Sequence, residues 1–136
     1  MKTFFFLMLL LVVSNLVAQS TDKLELLRTE YETCIETGSN LKNCASSYYT
    51  KINLILNDTY LELLNASNLK EKNKLSVDQK TWTLKRDVYF KSLLAEAKAD
   101  SEGGPVTDES EMSMFDQKAE YLLDRIEALK NKVTKK

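Results

Sequence analysis

The chain has no histidine, and among its 136 residues it has only three glycines, two cysteines, one proline and one tryptophan. Without histidine it lacks the side chain best matched to proton transfer near neutral pH, and no Gly-rich phosphate loop or nucleophile in a recognisable motif makes up for that. Catalysis is therefore not expected. A tetrahedral zinc site built on two cysteines would need carboxylates, and the acidic residues show no ligand spacing. A Cys-x-x-Cys redox motif is absent as well, so neither metal nor other cofactor is expected. The charge is close to balanced, with 19 basic and 20 acidic side chains and a net value of −1. Such a balance offers neither the strong excess nor the basic stripe that neutralises phosphates, which argues against nucleic acid as a partner.

The amino terminus carries the one long apolar run. Lys2 precedes an uninterrupted stretch from Phe4 to Val13, followed by Ser14, Asn15 and Ala18. This is the build of a secretory signal peptide. The run is shorter than the ~20 residues needed to span a bilayer, so residues 1–18 are expected to be a leader cleaved after Ala18 or Gln19. The first cysteine is Cys34, too distant for a lipid attachment. The expected product is soluble, periplasmic or secreted, with no stable membrane anchor. Removing 18 of 136 residues leaves 118, which suits a single domain, residues 19–136. Lys2 leaves with the leader, so 18 basic residues face 20 acidic ones, a net charge of −2. Asp22 to Glu36 and Glu102 to Glu111 are acidic, whereas Lys130, Lys132, Lys135 and Lys136 form a basic end, consistent with solvated faces and a helix complementing its own dipole.

Helix breakers occupy only positions 38, 103, 104 and 105, so the remainder reads as helix, giving an all-α chain of four helices in an antiparallel bundle. The first helix runs from about Asp22 to Thr37 and ends at Gly38. A second is expected from about Leu41 to Leu69, burying Cys44, Tyr48, Ile52, Ile55 or Leu56, Tyr60 and Leu63. Ser76 and Gln79 form a capping-box pattern, which predicts a third helix from there to about Lys98, burying Trp82, Tyr89 or Phe90, Leu93 and Ala97. Asp108 and Glu111 suggest the next cap. The last helix then presents Met112, Phe115, Ala119, Leu122, Ile126, Leu129 and Val133 at alternating three- and four-residue steps. That stripe suits either a coiled-coil seam between chains or packing within one bundle. A small domain can hardly leave so much apolar surface exposed, so a monomeric bundle is expected.

Three signatures lie along these helices. Cys34 and Cys44 flank the Gly38 turn, and in an exported chain they are expected to form a disulfide. Leu56-Asn57-x-x-Tyr60 falls on the second helix and Gln79-x-x-Trp82-x-x-x-Arg86-Asp87 on the third. If these helices form a hairpin turning near Lys72 to Lys74, Asn57 lies beside Asp87 and Tyr60 beside Leu84. Arg86, four residues beyond Trp82, can lie over the indole. Asp87 points about 100° away, toward Lys91 or Asn57, and is not expected to pair with Arg86. Gln79 is near enough to Trp82 to orient the surroundings of its N–H. These residues read either as a recognition surface or as a polar clasp fixing helix register. The clasp is preferred, because large aromatics at core spacing are usually core.

Together these signatures resemble the lysozyme-inhibitor LprI-like family of small secreted bacterial proteins, whose pattern is a cysteine pair, then Leu-Asn-x-x-Tyr, then Gln-x-x-Trp-x-x-x-Arg-Asp. The resemblance extends to Gly103-Gly104 and to Arg125 and Leu129 in the last helix. Two further cysteines common in the family are missing, Tyr89 standing at one position and a residue near Gln117 at the other. The resemblance implies a rigid exported bundle that blocks a lysozyme by protein contact, with no chemistry of its own. An acidic surface around Glu102 to Glu111 would attract a basic lysozyme, and the loop at Glu102, Gly103, Gly104 and Pro105 is either its inserting element or an ordinary connection. The alternative is a structural or adaptor module of the bacterial cell envelope with an endogenous protein partner. A periplasmic holdase is less attractive, since four helices can cover one another.

Overall fold

Gly38 ends the first helix in the left-handed region, at φ +69°, where an L side chain would be strained. In a computed structural model describing residues 23–38 and 40–134, this helix, α1, spans 23–37. The expected leader lies outside the described residues, as do Asp22, Ser39 and the side chain of Val133. Asn40 caps α2 (Leu41–Ala66) by accepting the backbone N–H of Asn43. The Cys34–Cys44 disulfide joins α1 to α2 across this turn.

The next joint differs from the sequence expectation. The second helix ends at Ala66, not Leu69, and α3 (Leu69–Ala99) begins well before Ser76. A true capping box explains the shift: the Asn68 side chain accepts the Glu71 N–H, and the Glu71 carboxylate accepts the Asn68 N–H. Asn caps as well as Ser does. Nothing between Leu69 and Gln79 breaks a helix, so Ser76 and Gln79 lie in its interior. After a loop at 100–107, Thr107 rather than Asp108 caps α4 (Asp108–Thr134), accepting the Ser110 N–H through its hydroxyl. Asp108 and Glu111 instead reach Lys42.

Successive helices run antiparallel, so α2 and α4 share a direction. Lys42 meets Asp108 and Glu111, and seven residues further along Tyr49 meets Phe115 and Lys118. The most extensive helix contact is this parallel α2–α4 seam, and the contact within the α2–α3 hairpin is much smaller. Ile52, Ile55 and Leu56 pack there with Leu122, Ile126 and Leu129, joined by Leu75 of α3. Ala45 and Ala119 are fully buried small residues in the paired helices. Of the stripe expected on the last helix, Ala119, Leu122, Ile126 and Leu129 are buried, and Met114 is buried in preference to Met112.

α1 closes one flank. Its Tyr31 ring stacks on Tyr48 of α2 at 4.6 Å, and the Tyr31 hydroxyl donates to Asp116 of α4 at 2.6 Å. Burial first, and then that hydrogen bond, hold the Tyr31 hydroxyl well above the ordinary tyrosine range. α3 covers the other flank through rings. Tyr121 of α4 stacks with Trp82 at 5.7 Å and with Tyr89 at 4.9 Å, while Phe90 meets Tyr49 edge-on at 6.0 Å. Rings of this size hold helix axes apart, which is why only Leu75, Leu93 and Ala97 of α3 are buried.

Candidate functional site

Where the signatures converge follows from the early start of α3. Counting along the antiparallel pair from the Tyr49–Phe90 ring contact, Asn57 is about level with Trp82 and Tyr60 with Gln79, more than one helical turn from the expected partners. The belt expected across an α2–α3 seam is not formed in that register. Leu56 is buried in the core and Tyr60 packs partly buried against it, whereas Asn57 and Leu84 are exposed.

The third signature faces α4 instead. Arg125 is buried, with its side chain 6% exposed. Its Nε donates to Gln79 Oε1 at 3.0 Å, and one terminal nitrogen donates to the same oxygen and to Asp78 Oδ2, both at 2.7 Å. The guanidinium carbon lies 5.3 Å from the Trp82 ring centroid, and that of Arg86 lies 5.4 Å away. One indole therefore carries two guanidinium contacts, one from each helix. Only arginine combines a permanent charge with a planar fork able to serve a carboxylate, an amide and a ring face together. Gln79 thus acts on Arg125, not on the indole N–H. Among the described residues no buried side-chain polar atom lacks a hydrogen-bond partner.

Asp78 also accepts from Lys132 Nζ at 2.6 Å. Burial by itself would raise its pKa, but the hydrogen bonds from Lys132 and Arg125 outweigh that and hold the carboxyl below its ordinary value. Asp78 and Arg125 lie 47 positions apart in the chain. Neither was a site candidate from sequence, although Arg125 belonged to the loosely matched tail of the resemblance.

Asp87 corrects a second expectation. It pairs with its neighbour Arg86, accepting from Nε at 2.9 Å and from a terminal nitrogen at 2.7 Å, and is bonded neither to Lys91 nor to Asn57. Adjacent side chains on a helix start about 100° apart, but the arginine stem is long enough to bend back while its guanidinium still touches the indole. This pair is exposed at Asp87.

A different constellation lies at the other end of the bundle, about 30 Å away along α3. Glu102, Gly103, Gly104 and Pro105 are all exposed there. Gly103 takes φ +85° beside Glu102 at +46°, a tight reversal that needs glycine at one position at least. Next to the loop, a cleft of about 270 Å³ opens between the end of α3 and the start of α4, lined by Glu96, Asp100, Glu109, Ser110, Ser113 and Gln117 over an apolar floor of Leu93, Ala97 and Met114. The clasp and the loop are therefore separate sites. The first is internal and holds α3 to α4; the second is open, acidic and accessible.

Half-buried Lys118 lies over Tyr49, Phe90 and Phe115 at 5.9, 5.4 and 5.3 Å. Desolvation lowers its pKa, and the ring faces take the place of a carboxylate partner. Comparisons with known protein families, characterised proteins and solved structures find no match.

Proposed function

We propose that the protein is an exported, non-catalytic binding protein that blocks a lysozyme by surface contact. The acidic cleft beside the Glu102–Pro105 loop carries this reading. Glu96, Asp100 and Glu109 converge there over apolar side chains, a combination suited to a basic side chain with an aliphatic stem. The exposed loop stands at its rim. Charge complementarity of this kind would accelerate encounter with a basic enzyme and weaken as salt rises. The clasp around Arg125 contributes indirectly, by holding α3 and α4 in the register that shapes the cleft.

The test is a cell-wall turbidity assay with the purified protein in excess over c-type, g-type and i-type lysozymes, at low and moderate ionic strength. Inhibition of one type, weakened by salt and by Asp100→Lys with Glu109→Lys, is the expected result. Failure against every type would leave an adaptor of the cell envelope as the better description.

A further inference from the structure

The inward side of α3 accounts for its aromatic residues, but the helix is not polar on its outward side. Val77, Leu84 and Val88 are 67%, 61% and 72% exposed. At about 100° per residue they fall with Thr81 and Ala95 within an arc of about 60°, turned away from Trp82 and Tyr89. Lys70, Lys74, Lys80, Lys85, Lys91 and Lys98 lie in or beside this arc, and all six are exposed. Three of the four acids of α3 have partners of their own, and the fourth faces the cleft. Glu71 closes the capping box, Asp78 holds Arg125 and Lys132, Asp87 holds Arg86, and Glu96 lines the cleft against α4. Among the described residues the ion pairs run through Lys42, Lys51, Lys132 and the arginines, and none uses these six lysines. A chain with a net charge of −1 thus carries a helical face on which six exposed lysines outnumber the acids at its margins, Asp87 and Glu96, along an aliphatic stripe.

We infer that this outer face of α3 docks the protein on an anionic lipid surface. An exposed aliphatic stripe edged by lysines matches the boundary of a bilayer, where short apolar side chains enter the headgroup region and lysine stems extend to lipid phosphates. A specific protein partner is a poorer fit. Protein interfaces are enriched in aromatic residues and arginine and depleted in lysine, and this face has six lysines with its aromatics turned inward. Nucleic acid would satisfy the lysines and leave Val77, Leu84 and Val88 without a role. No helix among the described residues is long and apolar enough to cross a membrane, so α3 would lie along the surface. This docking does not depend on the lysozyme reading, since its residues and those of the acidic cleft do not overlap.

The test is co-sedimentation of the purified full chain with vesicles of phosphatidylcholine alone or mixed with phosphatidylglycerol. It uses the wild type, Leu84→Ser with Val88→Ser, and Lys80→Glu with Lys85→Glu and Lys91→Glu. Any contribution of residues 1–18 is common to all three. The substituted side chains are exposed, and circular dichroism should show unchanged helix content. Wild type should partition to the mixed vesicles at least about tenfold more than to the neutral ones, and each variant should lose about tenfold, with the wild-type signal falling as salt rises. Equal partition to both vesicle types, or variants that bind like wild type, would overturn the inference. So would an absence of vesicle binding accompanied by either of two alternatives lost in the same variants: binding of a duplex oligonucleotide, or a concentration-dependent increase in mass.

Discussion

The α2–α4 seam and the α3 flank solve the same problem, covering an apolar helix face, in opposite ways. The seam uses small and medium aliphatics, with Ala45, Ile52, Leu122 and Leu129 at 0% exposure. The flank uses large rings and a buried arginine, and along its 31 residues only three are buried. Close aliphatic packing gains most from exclusion of water and tolerates no polar atom. Ring-spaced packing leaves room for a charged fork, provided each of its donors is matched. The first arrangement builds the core. The second sets how α3 sits on α4, and so shapes the cleft at its end and fixes which face of α3 points outward.

The comparison breaks most directly if the seam is not the dominant contact. Leu122→Ala should cost about 4 kcal/mol, a lowering of Tm by roughly 15 °C or more in thermal unfolding. Trp82→Ala removes a larger side chain yet should cost less, about 2–3 kcal/mol, because Trp82 is only half buried and packs on rings. A reversed order of these two would show that α3 carries the core. Replacing both Cys34 and Cys44 with alanine should cost about 2 kcal/mol, within the range expected for a short closed loop, and unlike Trp82→Ala it should leave near-ultraviolet circular dichroism from the Trp82–Tyr121 stack unchanged.

Asp78 sharpens the comparison through pH. Its folded pKa is depressed, so its contribution is fully present above the unfolded carboxylate value and is lost as pH falls through the lower folded value. Asp78→Asn should flatten the acid limb of the stability profile in denaturant titrations below about pH 4, while Asp116→Asn should leave this part of the α3–α4 contact untouched. Least affected should be Asp87→Asn, within about 0.5 kcal/mol, since the Arg86–Asp87 pair is solvent-screened. A loss above about 1 kcal/mol would mean that this pair helps hold the ring-spaced flank.

Much of the helical layout was legible from a few residues. Gly38 and the Gly103-Gly104-Pro105 loop mark two of the three joints because they are the only breakers in the expected domain. The third joint carries no Gly or Pro. Two capping patterns compete for it, Asn68 with Glu71 and Ser76 with Gln79; the first forms the cap, and the α2–α3 register lies more than one turn from the one a later joint would set. The Cys34–Cys44 pairing was legible from spacing and the expectation of export. Arg86 over Trp82 was legible because four residues complete about one turn. The Gln79–Arg125 bond was not, since it joins residues 46 apart whose spacing carries no local period. Nor was the basic face of α3, because a chain-wide charge balance averages over faces, and three of the four acids interspersed with its lysines have partners that only the folded structure reveals.

The amino-acid sequence by itself determined that the chain is helical, where two of its turns fall and that its cysteines can meet, because capping, backbone strain and short-range spacing act within a few residues. Only the tertiary structure decided that α2 pairs with α4, that Arg125 is the centre of the clasp, and which sides of α3 are buried or left bare. Those outcomes depend on how ring size, aliphatic volume and charge compete across helices distant in the chain, and no local pattern records that competition.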